Sequence, residues 1–176
     1  MSKFRSNIQK IKLFYFNLAG KINKNNFRLN TGIEEKEIKK VLIIFPIHEE
    51  DYNVAKYCFR SILSNNDTEY MYMINNVFYS NSHFMGTTYG FNYLRKKDKI
   101  IFNDNFLDDN IININFDVVI NLECKFNLDF AMIINKINSK YKIGFKNEYS
   151  DWFYNVQFQY TTLENGYKKI NSMLKK

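Results

Sequence analysis

The stretch "VLIIFPIHEEDYNVAKYCF", residues 41–59, constrains the fold of this chain more than any other. Its first five residues are all apolar and read as a strand covered on both faces, as in a parallel sheet. The chain's one proline, Pro46, ends the run. The polar residues His48, Glu49, Glu50 and Asp51 follow, and then a helical pattern opens. Buried strand, polar turn and helix make the first unit of a βαβ domain. Ligands of such domains bind beyond the carboxyl ends of the strands, which is where this turn lies.

The alternation continues downstream. Residues 52–63 are predicted helical, with Val54, Ala55, Cys58, Phe59 and Ile62 on one face. Strands are predicted at 68–74, within "KDKIIFND", at 116–123 ("FDVVINLE"), at 141–145 ("YKIGF") and within "YNVQFQY". Helices are predicted at 128–137 and 162–174, while Gly86 and Gly90 leave 78–94 unassigned. This order implies right-handed crossovers and a mostly parallel, Rossmann-like three-layer α/β sandwich. The expected division is a basic amphipathic helix with its linker over 1–32 and one α/β domain over 33–176.

The amino-terminal helix carries Phe4, Ile8, Ile11, Tyr15, Leu18 and Ile22 at steps of three and four. That stripe is expected to pack on the sheet of its own domain. The alternative is that Lys3, Arg5, Lys10 and Lys12 carry the helix to an anionic membrane surface, a partner's groove or RNA. The net charge of +7 and pI near 9.2 invite that alternative. A chain crowded with Asn, Lys, Ile, Tyr and Phe also fits AT-rich codon bias, in which lysine is the default surface residue.

No apolar stretch reaches the roughly 18–20 residues that span a bilayer, so no transmembrane segment is expected. The piece "LFYFNLAG" is too short and interrupted for a signal peptide, which points to the cytoplasm, with the inner face of the membrane as the peripheral alternative. Cys58 and Cys124 have no CxxC or framework spacing and read as reduced thiols.

Each candidate motif has a plain structural reading. Asp51 stands where a helix N-cap would, and capping alone explains it. His48 with the neighbouring acids is a thin metal set, because His83 is the chain's only other histidine. No metal is therefore expected. "NDNFLDDN" lacks the central glycine and distal glutamate of a calcium loop and reads as a turn. No G-x-G-x-x-G, P-loop or G-x-S-x-G is present, and no cofactor is implied. Asp117 and Glu123 bracket one strand, with Glu123 toward the site edge, where an acid is ordinarily solvated.

"KVLIIFPIHEEDYNVAKYCFRSIL", "FDVVINLE" and "KIGF" together resemble the amino-terminal, acceptor-side half of the heptosyltransferase-like glycosyltransferases, which have the GT-B fold. The resemblance covers roughly residues 40–148. In that family the loop ends in Gly-Asp, and the aspartate activates the acceptor hydroxyl. It implies Asp51 as that base, with Glu50 standing in place of the glycine. The family's second Rossmann domain, which holds the nucleotide sugar, has no room in 176 residues. In length and layout the chain is also similar to an uncharacterised family of short bacterial proteins sharing the basic helix, the "EED" loop and the "K-(I/V)-G" strand.

Three functions follow as expectations. The first is a non-catalytic binding or scaffold domain derived from that half, holding a protein partner or keeping a cleft lined by His48, Glu50, Asp51 and Glu123. The second is a split glycosyltransferase with Asp51 as base and a partner supplying the donor domain. The third is a basic surface module acting through Lys3, Arg5, Lys10 and Lys12 on anionic membrane or RNA.

Overall fold

Alternation along the first strand decides how the layers form. A computed structural model describes residues 2–22, 38–60, 62, 68–81, 84–103 and 111–174, and in the first helix it describes side chains from Gln9 onward. The elements run α1 (Ser2–Leu18), β1 (Lys40–Ile44), α2 (Glu49–Phe59), β2 (Glu69–Asn75), β3 (Thr87–Leu94), β4 (Lys99–Phe102), β5 (Phe116–Asn121), α3 (Leu128–Lys136), β6 (Ser139–Phe145), α4 (Ser150–Phe153), β7 (Val156–Phe158) and α5 (Leu163–Met173). Val41, Ile43 and Phe45 enter one apolar cluster with Tyr52 and Phe59 of α2 and Tyr167 and Ile170 of α5. Leu42 and Ile44 enter the other, with Leu13 of α1 and Phe130, Ala131 and Ile134 of α3. All five residues from Val41 to Phe45 are fully buried, each stabilising the fold by about 1.5–3 kcal/mol relative to exposure.

The strands form one seven-stranded sheet in the order β4-β3-β2-β1-β5-β6-β7. Every pairing is parallel except β3 with β4. This is the expected three-layer α/β sandwich. The unassigned stretch 78–94 resolves into a 3-10 turn (Asn76–Asn81) followed by β3. Gly90 is needed within that strand because a Cβ there would lie 1.9 Å from Oδ1 of Asn76. The linker 23–32, His83 and most of "NDNFLDDN" lie outside the described residues.

Two local expectations are corrected. Helix α2 begins at Glu49 with His48 at the N-cap, so Asp51 is its third residue and does not cap it. The α1 stripe also faces the wrong way. Ile11, Tyr15 and Leu18 are 61–71% exposed, while Leu13 is buried and Phe16 packs against the core. The cause lies at the helix end. Gly20 adopts φ +65, its N–H bonds to Asn17 O (3.2 Å), and Lys21 N–H bonds to Phe16 O (2.9 Å). That is a Schellman cap, which stops the helix and carries Ile22 off the stripe and into the core by another route.

Candidate functional site

The chain leaves β1 toward β2 on one side, and β5 lies on the other, so the order reverses between β1 and β5. Ligands of open α/β sheets bind above such a point. Here β1 delivers the turn Phe45-Pro46-Ile47-His48 and β5 delivers Leu122-Glu123-Cys124. Ligand atoms of Asp51, Glu123 and Cys124 all lie within 4.8 Å of one another at this point.

Glu123 organises the turn. It is 4% exposed, and its carboxylate accepts the N–H of Ile47 (3.0 Å) and of Lys125 (3.1 Å). Burial raises its pKa above the usual carboxylate range. The two N–H bonds oppose that shift, Asp51 adds to it, and His48 opposes it. The expectation of a solvated strand-end acid does not hold for this residue. It does not hold for Asp117 either, whose carboxylate accepts the N–H groups of Lys39 (2.9 Å) and Lys40 (3.0 Å) at the other end of the sheet.

Buried polar side chains support Glu123 from beneath. Asn121 accepts the Glu123 N–H on Oδ1 (3.0 Å) and donates from Nδ2 to the Tyr154 hydroxyl (2.7 Å). Burial pushes the Tyr154 hydroxyl up to about 12. Tyr167 donates to Leu122 O (3.1 Å), and Asn75 at the end of β2 donates to Ile47 O (3.1 Å). Both backbone groups of Ile47 are thus taken by side chains. None of these supporting residues was read from the sequence as part of the site. The one signal available was asparagine closing the apolar runs of two strands, "MIN" and "VIN".

The remaining predicted residues fall as follows. His48 and Glu50 are exposed at the start of α2. The His48 ring meets Tyr93 edge-on at 5.8 Å. The Cys124 thiol, 4.0 Å from Glu123 Oε1, has its pKa raised by burial and by the acids beside it. Among the described residues the set able to converge on a cation is Asp51, Glu123 and Cys124, without His48, Glu49 or Glu50. Burial favours the protonated forms of Glu123 and Cys124, whereas a cation needs both deprotonated. Lys10 pairs with Glu148 (3.0 Å), well away from these acids in sequence. Lys12 is exposed, and the side chains of Lys3 and Arg5 lie outside the described residues.

The space beside β1 and β2 is filled. Phe45 packs against Tyr52, Phe59, Tyr72 and Phe84 with ring centroids 4.8–6.4 Å apart, and Tyr52 stacks on Phe78 at 4.8 Å. A groove of about 700 Å³ lies elsewhere, between α1, β4 and α3, lined by Lys12, Phe16, Lys21, Phe102 and Lys136 among others. Its walls hold neither Asp51 nor Glu123.

No protein-family model and no curated protein sequence matches this chain. Among solved structures, E. coli heptosyltransferase WaaC with ADP aligns with a TM-score of 0.56 at 12% identity. The match covers 76% of this chain and 46% of that one. The chain has a GT-B-like α/β fold, and it spans less than half the length of the heptosyltransferase. No helix among the described residues is long and apolar enough to cross a membrane.

Proposed function

We propose that this chain is a binding domain of GT-B descent whose switch-point site takes a neutral, hydroxyl-rich ligand and does not hold a nucleotide. One observation carries this reading. The Ile47 N–H, which in a phosphate-binding turn would face the ligand, is bonded to the Glu123 carboxylate. The first turn of α2 adds Glu49, Glu50 and Asp51. A helix N-terminus attracts anions through its free N–H groups and its dipole. Three acids in that turn offset the dipole and repel a phosphate. Carboxylates instead accept bonds from sugar hydroxyls, which are neutral donors. The aromatic packing around Phe45 supports a binding role further, since it fixes the start of the turn from the core side.

Calorimetric titration tests the reading with ADP, a panel of nucleotide sugars, and neutral mono- and disaccharides. Saturable binding of a neutral saccharide, lost in Asp51→Ala, is the expected result. Saturable ADP binding that survives Asp51→Ala would overturn it.

The proximity of Asp51 to Glu123 favours a second reading, a split glycosyltransferase in which Asp51 is the base. That reading requires transfer to a saccharide acceptor when a donor-binding partner is added, and its loss in Asp51→Asn. Transfer retained by Asp51→Asn would remove it.

A further inference from the structure

Helix α1 presents an apolar face that its own domain leaves uncovered. Ile11, Phe14, Tyr15 and Leu18 are 69%, 63%, 61% and 71% exposed. Their spacing of i, i+3, i+4 and i+7 puts them on one continuous stripe. The opposite side of the helix is anchored. Leu13 is buried, Phe16 packs on the core, Gln9 donates to Asp98 (3.2 Å), and the Lys21 carbonyl accepts from Asn135 (3.3 Å). The stripe therefore faces outward because the helix is held from behind.

The charge is arranged to match. Seven of the chain's 25 Lys and Arg lie in residues 1–32, and none of its 18 Asp and Glu do. The remaining 144 residues carry 18 of each and are neutral. The whole net charge of +7 thus belongs to the segment that contains α1. A codon bias acting along the chain would spread the excess. On the helix itself, 100° per residue places Lys10 on one flank of the stripe and Lys12 on the other. Lys10 is tied to Glu148, but that pair is half-exposed and weakly held.

We infer that the outer face of α1 docks on an anionic lipid surface, lying parallel to it with the stripe among the acyl chains and the lysines at the headgroups. Apolar area and electrostatic attraction together drive such binding, and flanking lysines reach up to the phosphates while their stems stay apolar. RNA would use the lysines but has no need of four exposed apolar side chains in line. A second copy of this chain would meet the same positive segment and be repelled. The inference uses residues on α1 alone and stands independently of the ligand at the switch point.

Vesicle flotation of the full chain is the test, with vesicles of phosphatidylcholine alone or mixed with equal phosphatidylglycerol. The wild type should float with the mixed vesicles, and should be released by high salt and by omission of phosphatidylglycerol. Phe14→Ser with Leu18→Ser leaves the charge unchanged and should weaken the partitioning about tenfold or more. Lys12→Glu should weaken it severalfold while touching no buried residue. Both variants should keep the wild-type urea midpoint, since the altered side chains lie outside the core.

No flotation of the wild type overturns the inference, as does flotation equal with and without phosphatidylglycerol. Binding of a homopolymeric RNA that the Phe14/Leu18 variant retains, without flotation, would assign the charge to nucleic acid instead. A wild-type dimer in light scattering that this variant dissolves would assign the stripe to a second copy.

Discussion

Replacing Glu123 by glutamine asks whether burial or hydrogen bonding governs the carboxyl that holds the β1–α2 turn. The carboxylate serves two N–H donors, Ile47 at 3.0 Å and Lys125 at 3.1 Å. Glutamine keeps one oxygen and turns an NH2 toward the other donor. The oxygen should stay with Ile47, because that bond is buried, while Lys125 is exposed and its N–H can turn to water. The loss is then one partly solvated bond, about 1–2 kcal/mol. Glu123→Ala removes both acceptors and opens a gap, and should cost about 2–4 kcal/mol.

The pH dependence separates the two forces. Burial raises the Glu123 pKa above its ordinary value of 4.5, so between that value and the folded pKa the native state binds more protons than the unfolded chain. Stability contributed by the protonated carboxyl is complete below the unfolded pKa and declines as pH rises toward the folded one. Each tenfold rise in proton affinity is worth about 1.4 kcal/mol. Glutamine does not titrate. The cost of Glu123→Gln should therefore be greatest at and below about pH 4.5 and shrink as pH rises through the folded pKa. Urea unfolding of both proteins across that range measures it directly. A cost that stays constant or grows with pH would mean the two N–H bonds outweigh burial and Glu123 is ionised throughout, refuting the reasoning.

Two further substitutions probe the support of the site. A Cβ on Gly144 would meet three ring atoms of Tyr154 at 2.8 Å, so Gly144→Ala should cost about 1–3 kcal/mol by overpacking. It should also move the Tyr154 hydroxyl off Asn121, and Gly144→Ala with Tyr154→Leu should recover part of that loss in urea unfolding. Asp98 accepts from both Gln9 and the Tyr93 hydroxyl (2.7 Å) at φ 48, a conformation asparagine tolerates. Asp98→Asn should cost about 1 kcal/mol and Asp98→Ala about 2–3 kcal/mol, and equal costs would deny the backbone term.

Legibility in the sequence followed burial. The strands β1, β5 and β6 could be read because both of their faces are covered, which leaves unbroken runs such as "VLII" and "VVIN". Strand β3 escaped because Gly90 within it and Gly86 just before it serve close packing, which composition cannot separate from a loop. The site was half legible. His48, Glu50 and Asp51 sit on one turn, and Glu123 ends a readable strand, but their approach depends on β1 and β5 being neighbours. Pairing of strands more than 70 residues apart is a property of the whole sheet and leaves no local mark. Ile11, Tyr15 and Leu18 of the α1 stripe were read onto one face and given the wrong destination, while Ile22 lies past the helix end and in the core. Periodicity identifies an apolar face but not what covers it, and here Leu13, Phe16 and the Gly20 cap decide which face turns inward.

The two surfaces differ in the charge they favour, and a short chain of contacts joins them. The His48 ring abuts Tyr93, Tyr93 donates to Asp98, and Gln9 of α1 donates to the same carboxylate. On the proposed reading phosphate is disfavoured at the turn, where Glu49, Glu50 and Asp51 share one helix end. The inferred lipid contact favours it along α1, whose sequence contains no acid. A lysine-rich composition alone would raise the potential everywhere alike, whereas residues 1–32 hold seven cations and no acid. The chain is sorted by charge, and the hydrogen bond from Gln9 to Asp98 ties the acid-free helix to the domain that carries the acids.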